Sequence, residues 1–220
     1  MALNKNRNTS CVQVSSSVQK AAFSLPIDAD LIERLSLYTA SAVNPKRYEH
    51  SVRTALTASR LCRRYGLDAQ SGYFAGIVHD MCKDMDEDAL FSLAVLDGHP
   101  VSGLEAEKKS LLHGRAAAVL LQKDFGVCNG DVLEAVRCHT FGKAGMGDLA
   151  KVLYIADKIE PGRAHSSEAY ITQCMNLSLD TLLLAVAEEN ENYLKNQNKA
   201  IASDTFKMIQ SLRGEIHGEL

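Results

Sequence analysis

Four histidines and two aspartates stand out because each lies at the end of a predicted helix or inside an otherwise apolar one. They are His50, the adjacent pair His79 and Asp80, His113, His139 and Asp157. A single histidine of this kind is more often a hydrogen-bonded core or surface residue than a ligand. Six such residues together favour a site assembled between packed helices, where helical bundles recruit inward-facing ligands.

The donor atoms of this set point to metal chemistry. Imidazole nitrogens and carboxylate oxygens, without a thiolate, suit iron, manganese, zinc or cobalt, whereas magnesium alone would prefer more oxygen ligands. Six protein ligands exceed what one catalytic ion takes while keeping an open position, so two ions with a bridging carboxylate fit better. Such a pair orients a hydroxide for in-line attack on phosphorus.

Asp157 adds to this argument because it interrupts the apolar helical stretch LAKVLYIADKIE. Its neighbour Lys158 is expected to point about 100° away around the helix. A buried carboxylate without a cationic partner is costly, so a metal ion would explain the presence of Asp157.

Composition and periodicity predict an all-α protein. Ala, Leu, Glu and Lys fill windows of helical length, glycines and prolines are few, and no strand-like alternation competes. Helices are predicted from about 28, and then over 45–65, 68–80, 86–96, 113–125, 131–140, 149–160, 167–196 and 200–214. Residues 1–25 are polar and Ser-rich, which predicts a disordered tail ahead of one domain at 26–215.

Charge and hydropathy narrow the class of function. The formal charge of -3, with scattered basic residues, argues against binding to a nucleic-acid duplex. No run of eighteen apolar residues and no signal peptide is visible, so we expect a cytoplasmic protein that does not enter a membrane. The sequence leaves room for a homodimer.

The order of His50, the His79 and Asp80 pair and Asp157 resembles the pattern of the HD superfamily of metal-dependent phosphohydrolases. The likeness extends to the bacterial YqeK family, whose successive blocks resemble RYEHS at 47–51, GIVHDMCK at 76–83, LLHG at 111–114, AVRCHTFGKAGM at 135–146 and YIADKIEPGR at 154–163. Phe141 departs from this family, which usually has threonine there, and Arg115 stands where proline is frequent.

The resemblance implies an HD-domain helical bundle around a metal site and a defined reaction. Members of that family are symmetrical dinucleoside tetraphosphatases, which cleave diadenosine tetraphosphate into two ADP at a centre of two metal ions. Iron is the expected metal, and manganese, cobalt or magnesium would also be compatible. By this resemblance one ion is held by His50, His79, Asp80 and Asp157 and the other by His113 and His139, with Asp80 between them.

We expect a hydroxide at the metal pair to attack an inner phosphorus atom, with ADP as the leaving group. The terminal phosphate of ADP has a pKa of about 6, so cationic clamping should matter more than a strong general acid. Asp80, Lys83 and Arg163 are the candidate catalytic residues. The expected substrate contacts are Lys83, Arg137, Thr140, Gly142, Lys143 and Arg163.

Two alternatives stay open. The first is an HD phosphohydrolase for another nucleotide, such as a deoxynucleotide, a cyclic dinucleotide or a guanosine alarmone. Alarmone hydrolases typically carry Glu-Asp three residues after the His-Asp pair, where this chain has Lys83 and Asp84. The second is an HD protein that binds a nucleotide or metal without turnover.

Overall fold

The computed structural model describes residues 27–163 and 166–218, and in these ranges the chain is built from α-helices and two 3-10 turns, without a strand. The helices are α1 (Ala29–Ala42), α2 (Pro45–Tyr65), α3 (Ala69–Val78), α4 (Glu87–Ala94), α5 (Gly103–Glu107), α6 (His113–Lys123), α7 (Gly130–Cys138), α8 (Asp148–Ile159), α9 (Glu168–Cys174), α10 (Leu179–Asn196) and α11 (Ser203–His217). The prediction of an all-α fold is confirmed. The predicted tail lies outside the described residues, and the domain bounds 26–215 stay a prediction.

Helix α2 is the central helix of the bundle and packs against both α3 and α8. It begins where expected, because the Asn44 side chain accepts a hydrogen bond from the Arg47 backbone N–H and Pro45 occupies the first turn. Ser59 is buried on one side of this helix, and His50 is buried on the opposite side. Burial on both sides makes α2 the wall between two layers of helices.

Helices α2 and α3 approach each other closely at a glycine. A Cβ atom on Gly76 would lie 2.4 Å from the Ala55 Cα atom, so no larger residue fits there without movement of the backbone. Gly76 lies three residues before His79 on α3, and Ala55 lies just over one turn after His50 on α2. The close approach therefore brings the His79 and Asp80 pair up to His50.

A second glycine has the same role between α6 and α7. A Cβ atom on Gly114 would lie 2.8 Å from the Val136 carbonyl oxygen and 2.9 Å from the His139 ring. Because Gly114 follows His113 directly, the absence of its side chain lets His113 lie against His139.

The structure corrects some of the predicted boundaries. The helix predicted over 167–196 is two helices, α9 and α10, separated by a turn after which Ser178 caps α10 by accepting from the Thr181 N–H. The last helix begins at Ser203 rather than at 200. The segment after α4, expected to be a loop, contains the short helix α5, which begins with a capping box of Ser102 and Glu105.

None of the described helices is both long enough and apolar enough to cross a membrane.

Candidate metal centre

The structure brings the six predicted ligands together where several helices end. They lie in the second turn of α2 (His50), after α3 (His79 and Asp80), at the start of α6 (His113), after α7 (His139) and in the last turns of α8 (Asp157). The histidines and Asp80 are buried, and the Asp157 side chain is 15% exposed. Residues far apart in the sequence thus form one cluster inside the bundle.

The ring orientation of each histidine is set by a hydrogen bond at Nδ1. In His79, His113 and His139 this atom lies 2.7 Å from the backbone oxygen of the residue three positions earlier. A carbonyl oxygen can only accept, so Nδ1 carries the proton and Nε2 keeps its lone pair. The Nδ1 atom of His50 lies 3.1 Å from the Glu160 Oε1 atom, which orients this ring in the same way. The rings of His79, His113 and His139 therefore present Nε2 to the cluster in the form that binds metals, and the His50 ring presents its Nε2 atom to the same cluster.

The two oxygens of Asp80 face different histidines. Its Oδ1 atom lies 3.0 Å from the Nε2 of His113 and 3.6 Å from that of His139. Its Oδ2 atom lies 3.6 Å from the Nε2 of His79 and 3.9 Å from that of His50. One carboxylate is thus shared between two pairs of imidazoles.

Asp157 completes the side of the cluster that contains His50 and His79. Its Oδ1 atom lies 3.0 Å from the Nε2 of His50 and 3.7 Å from the Nε2 of His79. Asp157 therefore contributes a second carboxylate to this pair of imidazoles, whereas among the described residues the other pair has Asp80 alone.

These donor atoms fit bound metal ions. The Nε2 atom of His79 is buried and makes no hydrogen bond, and the Nε2 atoms of His113 and His139 lie 3.0 Å apart. Lone pairs that face each other and two carboxylates repel unless a cation lies between them. Among the residues that the structure describes, two groups have ligand atoms that all lie within 4.8 Å of one another. They are His50 with His79 and Asp157, and His79 with Asp80 and His139.

Burial also keeps imidazoles in the ligating state. It lowers the pKa of His79 to about 4 and lowers the pKa of His139, so both rings are neutral at pH 7. Burial opposes ionisation of Asp80 as well, but His79 and the hydrogen bonds to His113 and His139 outweigh it and bring the pKa of Asp80 well below its usual range. Neutral imidazoles beside an ionised carboxylate are what a metal ion requires.

Asp157 has two cationic partners, so the prediction that it lacks one is wrong. Arg163 Nη2 lies 2.8 Å from Asp157 Oδ1, and Lys158 Nζ lies 3.3 Å from Asp157 Oδ2. The long Lys158 side chain folds over the Tyr154 ring, with Nζ 3.7 Å from the ring centroid. It therefore reaches the Asp157 carboxylate, although the two side chains leave the helix in different directions. The case for metal binding therefore depends on the converging Nε2 atoms rather than on an unpaired Asp157.

Three of the predicted substrate contacts lie at the cluster. Lys83 Nζ is 3.3 Å from the Nδ1 of His113, and burial lowers the pKa of Lys83. Thr140 Oγ1 is 3.3 Å from the Nε2 of His139, and Arg163 is paired with Asp157 as described. These side chains border the space into which a phosphate at the cluster would extend.

The other three predicted contacts lie away from the cluster. Lys143 Nζ pairs with Glu134 Oε1 at 2.8 Å, and the Gly142 N–H donates to the Cys138 oxygen at 2.7 Å. The Gly142 N–H is therefore not free for a substrate. Arg137 lies beside a second cavity, where Lys143 and Gly142 also contribute to the lining.

Three residues that were not predicted from the sequence as part of the site lie at the cluster. Arg47 Nη1 lies 2.9 Å from Asp80 Oδ2, Lys158 lies beside Asp157, and Glu160 orients His50. Two of them could have been predicted from their spacing in the sequence. Arg47 lies three residues before His50 and Glu160 three residues after Asp157, which is about one helical turn from a predicted ligand in each case.

The cluster opens into a cavity of about 820 Å³, which we call the metal cavity. Its lining includes Asp80, His113, His139 and Asp157 together with six cationic side chains, those of Arg47, Lys83, Lys108, Lys158, Arg163 and Lys199. The volume falls in the range of small-molecule sites, and the excess of cations suits an anion with several phosphates.

Comparisons with known proteins agree with this site. A family model described as the HD domain matches residues 47–162, a range that contains all six clustered residues. The symmetrical bis(5'-nucleosyl)-tetraphosphatase of Bacillus subtilis is 32% identical over 160 residues, which are 73% of this chain and 86% of the relative. The protein of the same name from Staphylococcus aureus is 33% identical over 132 residues, 60% of this chain and 68% of that one.

A solved structure shows the same architecture. It is the crystal structure of a "predicted HD superfamily hydrolase involved in NAD metabolism" from Clostridium acetobutylicum, with a TM-score of 0.76 and 28% sequence identity. The likeness covers 83% of this chain and 97% of that one. The helical fold, the clustered histidines and aspartates and the family match lead to one conclusion: the chain belongs to the HD domain family.

Proposed function

We propose that this chain, an HD-family hydrolase, cleaves diadenosine tetraphosphate into two molecules of ADP. The relatives from Bacillus subtilis and Staphylococcus aureus, at 32% and 33% identity, are named for the symmetrical cleavage of such dinucleoside tetraphosphates. The match extends over 86% of the length of the first relative.

The single observation that carries the proposal is the division of the Asp80 carboxylate between two sets of imidazoles. Oδ1 faces His113 and His139, and Oδ2 faces His79 and His50. This arrangement supports a two-ion centre in which His50, His79, Asp80 and Asp157 hold one ion, His113 and His139 hold the other, and Asp80 lies between them. When bound, the ions would supply Lewis acidity and a water acidified for attack on phosphorus.

The cations around the cluster would hold the polyphosphate. Lys83 beside His113 and Arg163 beside Asp157 lie on opposite sides of the cluster, where they can neutralise oxygens on either side of the central phosphates. Arg47, which the sequence analysis missed, joins them through its contact with Asp80. Preorganised positive charge of this kind stabilises charge that develops on the phosphoryl oxygens in the transition state.

The leaving ADP needs little help from a proton donor. Its terminal phosphate has a pKa of about 6, so the departing oxygen is stable as an anion near neutral pH. Lys83 and Lys158 then act by charge, binding the departing group and the second ADP in the metal cavity.

The identity of the metal, the cytoplasmic location and the homodimer are also proposals. Iron is the metal that we favour, because the imidazole and carboxylate donors suit a first-row transition metal better than magnesium. The cytoplasmic location and the homodimer expected from the sequence remain predictions. Size-exclusion chromatography with light scattering tests the dimer.

Product analysis tests the proposed reaction. The purified chain is loaded with iron or manganese, incubated with diadenosine tetraphosphate, and its products are separated by chromatography. We expect ADP alone, and no product after the metal has been removed with a chelator. Equal amounts of AMP and ATP would mean asymmetric attack, and no product from the loaded protein would contradict hydrolysis.

A further inference from the structure

We propose that a second cavity beside the metal cavity binds one of the two nucleosides of the dinucleoside substrate. The inference rests on the proposed function, because only a substrate with two nucleosides needs a second subsite. We call this space the nucleoside cavity. It has a volume of about 630 Å³, within the range of small-molecule sites.

The nucleoside cavity lies between the segment after α4, the end of α7 and the start of α11. Pro100, Val101 and Leu104 contribute one apolar wall, and Phe141 and Ile201 contribute another. Apolar walls and a half-buried aromatic ring are suited to the flat faces of a purine base. The cavity therefore offers an environment for a nucleoside rather than for a highly charged group.

Its charges lead to the same conclusion. Arg115 is bound to Asp97 at 2.7 Å and to Glu105 at 3.3 Å, and Lys143 is bound to Glu134 at 2.8 Å. These paired groups leave the nucleoside cavity without an excess of positive charge. The metal cavity differs, because its six cations outnumber the carboxylates of Asp80, Asp157 and Glu189. A tetraphosphate thus suits the metal cavity, and an uncharged nucleoside suits its neighbour.

Arg137 provides a polar group for that nucleoside. Its Nε atom is buried, makes no hydrogen bond to any residue in the described part of the chain, and lies 4.0 Å from the Asp97 Oδ2 atom. Asp97 is already bound through both of its oxygens to Arg115, at 2.7 and 2.8 Å. A buried guanidinium N–H without an acceptor is costly, and an acceptor on a purine or ribose would satisfy it.

The two cavities adjoin each other. Leu104, Leu111, Thr140, Phe141, Ala200 and Ala202 line both of them. Thr140 is also in contact with the cluster, since its Oγ1 atom lies 3.3 Å from the Nε2 of His139. A substrate whose central phosphates lie at the cluster can therefore pass over Thr140 and place one end in the nucleoside cavity.

A steric block tests the subsite. Gly103 lines only the nucleoside cavity, and a Cβ atom added there meets no atom within 4 Å, so Gly103→Trp can fill the cavity without disturbing the backbone. Gly130→Trp is the matched control, because Gly130 is also the first residue of a helix, is also unobstructed and lines neither cavity. Equal metal content in the wild type and both variants shows that the centre is intact.

The variants are compared on two ligands. Diadenosine tetraphosphate has two nucleosides, whereas adenosine 5'-tetraphosphate has the same four phosphates and one nucleoside. The latter is measured as a substrate or, where it is not cleaved, as a competitive inhibitor. We expect Gly103→Trp to raise KM for the dinucleoside at least about tenfold and to leave KM or the inhibition constant for the mononucleoside unchanged. The Gly130→Trp control should change the constants for neither ligand. Equal effects on both ligands, or no effect on either, would overturn the inference.

Product binding separates this inference from the proposed function. If the metal-loaded wild type cleaves no diadenosine tetraphosphate, the proposed function fails, and calorimetric titration with ADP still tests the cavity. Two ADP per chain in the wild type and one in Gly103→Trp would support a nucleoside subsite there. One ADP per chain in both proteins would overturn it.

Discussion

Glu160 Oε1 lies 3.1 Å from the Nδ1 of His50, and through this contact a buried carboxylate orients one of the candidate metal ligands. Glu160 is held in turn by Arg53, whose Nε atom lies 2.6 Å from Oε2. Carboxylates in this position fix the imidazole orientation and raise its basicity toward a metal.

Replacement of Glu160 by glutamine should therefore weaken metal binding by about 10- to 100-fold. Elemental analysis after dialysis against graded concentrations of metal measures this change. The control is Glu168→Gln, since Glu168 is an exposed carboxylate paired with Arg60. Full metal affinity in Glu160→Gln would show that His50 needs no orienting partner.

The same carboxylate should make the apoprotein sensitive to acid. Burial would raise the pKa of Glu160, but hydrogen bonds from His50, Arg53 and the Gly162 N–H outweigh it and lower the pKa to about 2. A depressed pKa stabilises the fold above the unfolded value of about 4.3, and this stability is lost as the pH falls toward 2.

Urea denaturation of the apoprotein at several pH values measures this contribution. The free energy of unfolding of the wild type should exceed that of Glu160→Gln by about 2 kcal/mol near pH 6, and the difference should shrink between about pH 4.3 and 2. A difference that stays constant over this interval would contradict an ionised Glu160 in the folded protein.

Asp80→Asn should cost the protein at least one of the two proposed metal ions. The substitution keeps the shape of the side chain but removes the charge that His113 on one side and His79 on the other share. We expect a decrease of at least about 100-fold in kcat as well. Elemental analysis and steady-state kinetics provide the two measurements, with Asp84→Asn as the control because the Asp84 carboxylate binds Asn44 at the surface. An Asp80→Asn protein with both ions and full activity would exclude a bridging Asp80.

Lys83→Met should lower kcat/KM by about 10- to 100-fold without loss of metal. Lys83 lies 3.3 Å from His113 and lines the metal cavity, so its charge can reach a phosphate at the cluster. Lys123→Met, at an exposed position on α6, is the matched control. If the Lys83 variant loses metal together with activity, its role is to support His113 rather than to bind substrate.

Gly76→Ala should destabilise the fold by about 1 to 3 kcal/mol, because the new methyl group would overlap the Ala55 backbone. Gly130→Ala, at the unobstructed first position of α7, should be neutral or up to about 1 kcal/mol more stable. Chemical denaturation of both variants gives the comparison. Equal stability of the Gly76 variant and the wild type would mean that α2 and α3 can separate without cost.

The sequence was sufficient to predict which histidines and aspartates meet. His79, His113 and His139 lie at helix ends, which converge in a bundle, and Asp157 lies in an apolar helix facing the core. Helix ends marked by specific residues were also predictable, as at Asn44 and Pro45, because caps act locally.

The cations could not be placed in this way, because the direction of a long side chain depends on its tertiary neighbours. Lys158 reaches Asp157 only by folding over Tyr154, and Lys143 turns to Glu134 rather than to the cluster. The break between α9 and α10 was missed for a related reason. The turn that ends with Ser178 contains neither glycine nor proline, so no strong breaker marks it.

The most direct test of the central claim is a turnover of diadenosine tetraphosphate by the metal-loaded chain in ¹⁸O-labelled water, with the products analysed by mass spectrometry. Attack on an inner phosphorus atom with ADP as the leaving group predicts ADP as the only product, with one ¹⁸O atom in half of the ADP molecules. Formation of AMP and ATP would show cleavage of an outer phosphoanhydride bond, whichever product carries the label, and would contradict symmetrical cleavage at this centre.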